Sequence, residues 1–458
     1  MRIVNSKTKI MGEAKVSTAL LKFGLPATIG LLVTALYNFV DAIFVGGLGT
    51  SAMGAASISF PISMVIIGLG LTLGSGVASY ISRLLGKKNI EQASKAASTA
   101  FFSSLLLGTI VIVPSIIFLE PLLKLFGATA TILPYAKDYA YIFISGSILN
   151  VINVTMNNII RAEGAAKTSM KALVLGSVLN IILDPIFIYT FNFGIKGAAI
   201  ATVISQAAST LLLFKYFASP KSIVKISLKN FTATKIILGQ ILKVGTPDLV
   251  FQLLSSASMG LINTAAAPYG DAAVASMGIV NRIFAIGSFI IFGFFKGFQP
   301  LAGYNYGAKN YSRLKEIKNT ALKWTTILCF LVALVQIVFA KQIVAMFSND
   351  TQVIELGIKA LRAYSIMFPL FGYQTLYKTL FLSMGKAKEG GILSISRQGI
   401  FFIPIVFLLP RLIGLNGIIF SQAIADLLTV IFTWLLSIKL NKYLTQQIEP
   451  SLTASSLD

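Results

Sequence analysis

A few polar side chains sit inside otherwise apolar stretches, and their spacing suggests chemistry. Asp41 shares a helical face with Thr34, Tyr37 and Asn38. Asn150, Asn153 and Asn157 fall at i, i+3 and i+7, which makes one polar stripe. Asn180 and Asp184 are one turn apart with Pro185 directly after them, and Thr202 and Gln206 repeat the i, i+4 spacing. Two carboxylates, several amides and a hydroxyl are hard oxygen ligands. They suit a small cation such as Na⁺, or a proton held by a carboxylate away from water. The bland alternative is a hydrogen-bonded seam that only joins helices. The chain has no histidine and a single cysteine, Cys329. Histidine relays, Ser-His-Asp chemistry, thiolate metal cages and intrachain disulfides are therefore excluded.

The elements that must position these groups follow from composition. The 458 residues are 55% hydrophobic and only 12% charged, with a mean hydropathy of +0.81. Soluble domains carry about 25% charged residues, so a soluble enzyme, a disordered chain and a disulfide scaffold are all ruled out. Apolar stretches long enough to cross a bilayer predict twelve helices, near 17–46, 53–82, 93–118, 132–158, 168–190 and 195–216, then 237–267, 274–300, 317–340, 353–384, 390–410 and 415–438. Between the two sets, 218–235 carries Lys221, Lys225, Lys229 and Lys235 and reads as a linker between lobes 1–217 and 236–458.

The formal net charge of +22 would suggest nucleic acid in a soluble protein. Here the bases collect in alternate loops, where they face anionic lipid, and no nucleic-acid partner is expected. Arg2, Lys7, Lys9 and Lys15 share a side with Arg83, Lys87, Lys88, the linker lysines and Lys309 to Lys318. That side is expected to be cytoplasmic, with both termini on it, in a multi-pass protein of the cell's inner (plasma) membrane. No cleavable signal peptide is visible.

The two halves match at one ungapped offset. Gly24 and Pro26 meet Gly245 and Pro247 (245 − 24 = 221), and Gly49, Gly76, Gly86 and Lys88-Asn89 meet Gly270, Gly297, Gly307 and Lys309-Asn310. Six spans per half means both halves enter the membrane the same way. The expected fold is an all-α polytopic membrane protein, with two six-helix bundles related by a pseudo-twofold axis along the membrane normal. Parallel repeats of this kind are a transporter device. No Walker A sequence is present, and an enzyme or a channel fits less well. At the same offset Asp41 meets Ile262, Asn150 meets Phe371, and Asp184 meets Pro404 or Ile405. The polar seam is thus private to the first half, which favours a function over shared packing.

Gly24-Leu25-Pro26, the run from Asp41 to Gly49, Arg161-Ala162-Glu163-Gly164 and the segment PLAGYNYGAK from Pro300 to Lys309 resemble the multidrug and toxic compound extrusion family. The likeness is strongest to the branch that places its acidic residues in the N-terminal lobe. It implies a monomeric secondary antiporter that exports amphipathic, often cationic organic compounds in exchange for H⁺ or Na⁺, with no cofactor beyond that ion and with membrane lipid around it. Asp41, Asn157, Asn180, Asp184 and Thr202 match the family's N-lobe cation-binding positions. Tyr37, Met64, Tyr139, Asn153 and Gln206 are candidates for a substrate pocket, and Glu163 for a gate. A lipid-linked oligosaccharide flippase of the same superfamily is the alternative, and it would want a more cationic central cavity. In the second half, Asp426 is expected to pair with a nearby base, and Lys296 and Lys378 to reach for the membrane surface.

Overall fold

The computed structural model describes residues 2–455, with side chains over 7–448; the outermost residues of the two expected lobes, 1 and 456–458, and the side chain of Arg2 lie outside the described residues. The chain forms α1 (Arg2–Gly12), α2 (Val16–Gly46), α3 (Thr50–Gly86), α4 (Ile90–Ile117), α5 (Leu119–Leu125), α6 (Leu133–Ser145), α7 (Ser147–Ala162), α8 (Ala166–Pro185) and α9 (Ile195–Phe217). The second half forms α10 (Lys235–Ala266), α11 (Asp271–Gly307), α12 (Tyr311–Val338), α13 (Ala340–Ala345), α14 (Thr351–Ile366), α15 (Phe368–Ser383), α16 (Ala387–Ile395), α17 (Phe402–Ile413) and α18 (Leu415–Ser455).

Among the described residues, ten helical stretches are each long and apolar enough to cross a membrane. The fourth span is the α6–α7 pair, bent by 45° at Gly146. At the place of the tenth expected span lie α14 and α15, joined at Met367, which are not among the stretches that meet this criterion. These breaks are repeat partners (367 − 146 = 221), and so are the breaks at Phe118 and Phe339. Asn89 and Asn310 cap α4 and α12 in the same way, accepting from the backbone N–H of Gln92 and Arg313. Before each cap a lysine takes a left-handed turn, Lys88 at φ 59° and Lys309 at φ 58°. The repeat therefore extends to local geometry that hydropathy does not report.

The lobes meet where α2 and α3 pack on α11 and α10. Glycines permit this. Gly86 lies against the Tyr304 carbonyl and Gly307 against the Arg83 carbonyl, a reciprocal pair under the twofold. Gly76 faces Ile241, and Gly245 faces Thr72, both backbone to backbone. All of these contacts lie toward the face that carries the linker. There α1 crosses between lobes. Lys7 Nζ donates to Tyr216 Oη and to the Lys221 carbonyl, each at 2.6 Å, while the Met11 carbonyl accepts from Asn305 at 3.0 Å and Arg313 at 3.2 Å. Moving away from the linker face, the last hydrogen bond between lobes among the described residues is Gln252 Nε2 to Met64 Sδ, 3.9 Å. Beyond it, Gly260 and Gly278 have open space around them. The molecule is closed on the linker face and cleft toward the opposite one. On that opposite face Lys124 and Lys137 both pair with Glu120, and Lys196 pairs with Asp138. Ion pairs also occur on the linker face, Lys9 with Glu13 and Lys95 with Glu91, so the difference between the faces rests on the number of bases each carries.

A side chain at position 245 has no room while the linker face is closed. Gly245→Val is expected to disfavour that state. Spin labels on exposed Lys87 and Lys309, one per lobe, should report a longer distance than in the parent. An unchanged distance would mean that the helices absorb the methyl groups elsewhere.

Candidate functional site

The Asp41 and Asp184 carboxyls come within hydrogen-bond reach of each other, one from α2 and one from α8. Asp184 is fully buried and Asn180 is 2% exposed. The Asn180 amide donates to Asp184 Oδ1 at 3.2 Å and reaches Thr202 Oγ1 on α9 at 3.4 Å. Tyr37 and Tyr139 both lie within electrostatic reach of the two carboxyls, and Tyr139 stacks on Phe143 at 5.8 Å. Three buried oxygens here lack a hydrogen-bond donor: Asp41 Oδ1, Asn180 Oδ1 and Asp184 Oδ2. Two carboxylates this close and out of water repel each other strongly. A proton shared between them, or a small cation among the three free oxygens, removes that penalty. The donor set fits either.

The backbone is adapted at the same point. Pro185 has no N–H to give the Ile181 carbonyl, and the helix continues as a π-helical turn over Ile186–Thr190. The sequence motif Asn-x-x-x-Asp-Pro therefore places the carboxylate at the last regular turn before a loosened one. The C-lobe has its π-helical turn at Ser396–Phe401, at a different register, around Arg397.

Asn157 does not join this group. Its Nδ2 donates to Asn153 Oδ1 at 2.8 Å, and its Oδ1 accepts from Ser169 Oγ at 2.8 Å. Asn153 in turn donates to Ser209 at 2.9 Å and Thr210 at 3.1 Å. Arg161, near the end of α7, is buried, and it donates to Ser169 at 2.9 Å and Asn158 at 2.8 Å. Asn153 and Asn157 thus belong to a second network nearer the linker face, while Asn150 Oδ1 on the same stripe is buried without a hydrogen-bond partner. Ser169 lies fifteen residues before Asp184 on α8, or about 22 Å of helix. Thr34 and Asn38 also leave the Asp41 group, because each bonds back to its own helix. Gln206 is one turn from Thr202 toward the linker face. Met64 sits at the lobe boundary, against Gln252.

Glu163, just past α7, is completely buried. Its Oε2 accepts from the backbone N–H of Ile223 at 2.7 Å and of Val224 at 3.1 Å, and from Ser222 Oγ at 3.2 Å. Burial pushes this carboxyl above the usual glutamate range, and the nearby Lys7 ammonium pulls it partly back. Glu163 pins the linker to the N-lobe directly under α1.

In the C-lobe the positions that match Asp41 and Asn150 are Ile262 and Phe371, both buried in an apolar core. The charges of that lobe are elsewhere. Arg397 Nε and Nη2 donate to the two oxygens of Asp426 at 2.6 and 3.2 Å, and Gln422 Nε2 adds a bond at 3.0 Å. The guanidinium lies over Phe284 and Phe371 at 5.1 and 4.9 Å. Lys378 does not reach for the membrane surface; its ammonium lies 4.6 Å from the Phe251 ring and 5.5 Å from that of Phe292.

Known proteins place this architecture. The MatE family profile matches residues 26–186 and 247–408, one match in each lobe. Multidrug export protein MepA of Staphylococcus saprophyticus is 32% identical over 436 residues, covering 94% of this chain and 96% of its own. MepA of Staphylococcus aureus strain MSSA476 is 29% identical over 434 residues, with the same coverage. A solved structure described as the outward-facing conformation of a multidrug resistance MATE family transporter superposes with a TM-score of 0.91 at 29% identity, over 96% of this chain and 98% of that one. The chain belongs to the MatE family, the multidrug and toxic compound extrusion transporters.

Proposed function

We propose that this protein is a multidrug efflux antiporter that exports amphipathic, often cationic organic compounds in exchange for H⁺ or Na⁺. The observation that carries the reading is the Asp41–Asp184 pair with its three donor-less oxygens. It is built from α2, α8 and α9 with no counterpart in the repeated lobe. The names of the relatives, multidrug export proteins over nearly the whole chain, support it. Asp41, Asn180, Asp184 and Thr202 hold the coupling ion or proton. Tyr37 and Tyr139 stand beside it where an aromatic or cationic substrate would compete for the same charge. Asn157 and Asn153 serve this site indirectly, by fixing α7 against α8 and α9.

The linker face is read as cytoplasmic in the plasma membrane, because its bases outnumber those of the other face, where Lys124, Lys137 and Lys196 are also paired with acids. On that reading the cleft opens outward, and Glu163, the linker and α1 form the closed inner gate. Alternating access requires the gate to open when the ion site is filled differently.

Two measurements test the proposal. Drug efflux from vesicles is recorded with a proton gradient and a Na⁺ gradient imposed separately. At least one gradient should drive efflux, and indifference to both would refute antiport. For orientation, Lys225→Cys on the exposed part of the linker should give no signal with a membrane-impermeant thiol reagent applied to intact cells. The native Cys329 is buried and adds no background. Strong labelling would invert the topology.

A further inference from the structure

The floor of the cleft carries charge that the N-lobe site does not use. Lys296 on α11 lies between residues that touch the N-lobe on either side. Gly293 and Gly297 contact Thr28 and Phe23 of α2, and Gln299 Nε2 donates to the Ser75 carbonyl of α3 at 3.2 Å. At about 100° per residue, Lys296 falls on the arc between those two contacts. It therefore faces the lobe boundary.

Lys378 on α15 faces the same boundary. One turn further along, the Leu382 carbonyl accepts from Ser79 of α3 at 2.6 Å. Its ammonium rests on Phe251 and Phe292, and Phe292 is one turn from Lys296. Both lysines are partly exposed, as are Phe251 and Phe292. On a surface closed beneath them, that exposure is toward the cleft. Among the described residues, neither ammonium has a carboxylate within ion-pair distance. Asp248 on α10 is the one acid in electrostatic reach of both, and the Arg161 guanidinium adds a third positive charge near Lys296 from the N-lobe. With Arg397, itself paired to Asp426, also within electrostatic reach of Lys378, positive charge exceeds the single nearby carboxylate of Asp248, in a region where an unpaired charge is costly.

We propose that Lys296 and Lys378 form a subsite for the anionic group of an amphipathic ligand, a sulfonate, carboxylate or phosphate ester, with Phe251 and Phe292 taking the adjoining apolar or aromatic part. This goes beyond the export of cations through the N-lobe. It makes zwitterions and organic anions a second substrate class, bound at the opposite wall of the cleft. An ammonium over an aromatic ring keeps part of its attraction while waiting, and exchanges it for a charge-assisted hydrogen bond when the anion arrives.

The test uses two probes with one ring system and opposite charge, naphthalene-2-sulfonate and trimethyl(naphthalen-2-yl)ammonium. Binding is measured to the full-length protein in nanodiscs of zwitterionic lipid. Naphthalene-2-sulfonate should bind the parent and lose at least about tenfold in affinity in Lys296→Gln and in Lys378→Gln, the loss of one charged hydrogen bond. Lys→Arg at either position should retain it. The ammonium probe should bind the glutamine variants as well as it binds the parent, which also shows that they are folded. Repeating the measurement in discs rich in anionic phospholipid separates the sources of the anion. Weaker sulfonate binding there would show that a lipid phosphate enters the same subsite, and unchanged binding would reserve it for soluble anions. No sulfonate binding to the parent, or equal losses for both probes, would overturn the subsite. Because the ammonium probe reads the N-lobe separately, that result would leave the cation antiport reading standing.

Discussion

Asp184→Asn is expected to lower gradient-driven efflux by at least about tenfold, and to lower the binding of an organic cation, measured without a gradient, by a much smaller factor. The amide keeps the shape of the side chain and can still bond Asn180, which now contacts Asp184 Oδ1 at 3.2 Å. What it removes is one member of a carboxylate pair whose mutual repulsion demands a proton or cation. Without that demand, the ion's affinity no longer differs between the two conformations. Coupling is that difference, typically worth 5–150-fold. Binding and efflux should be measured in the same vesicles. Asp138→Asn, which breaks only an exposed pair with Lys196 at 3.3 Å, should behave like the parent. Full gradient-driven efflux by Asp184→Asn would show that the charge is dispensable and would leave the cluster as helix packing.

The second large effect is on stability. Asp426→Ala should destabilise the C-lobe by about 3–5 kcal/mol, because it strands the buried Arg397 guanidinium. Arg397 is 7% exposed and Asp426 1%, so water cannot replace the lost carboxylate. The double change Arg397→Met with Asp426→Leu removes both charges and should recover most of the loss. A thiol-reactive dye reads this directly during thermal unfolding, since Cys329, the only cysteine, is buried in the C-lobe core. A single variant as stable as the double would mean that Gln422 and the aromatic rings suffice to hold the charge. The contrast with Asp184 is instructive. Asp426 has a fixed countercharge and is structural, whereas Asp184 faces another acid and depends on a mobile one.

Much of this was legible in the chain. Apolar length located twelve spans, and the 221-residue offset related the halves down to the paired breaks at Gly146 and Met367 and the paired left-handed lysines at 88 and 309. The failure of the repeat at Asp41 and Asp184 marks the N-lobe seam in the sequence alone. That Asp426 would pair with a base was also foreseeable, since a buried charge in a membrane must find its opposite; that the base is Arg397 is a finding of the structure.

What the tertiary structure alone decided is the height at which polar groups on different helices meet. Helical spacing assigns Asn153 and Asn157 a face and says nothing of which neighbour lies opposite. Because α7 and α8 run antiparallel from a short turn at Glu163 to Ala165, residues only a few positions from the turn on either side come near each other. Asn157 therefore meets Ser169, and Asp184 lies beyond its reach. Arg161 is drawn into that network for the same reason. The tertiary structure likewise decided the closure of the linker face by α1 and backbone-to-glycine contacts, and the cleft above Met64 and Gln252. Periodicity is a property of one helix, whereas closure depends on how two six-helix bodies pack against each other. The sequence determined which groups must leave the lipid, and only the packing of the lobes determined which of them meet.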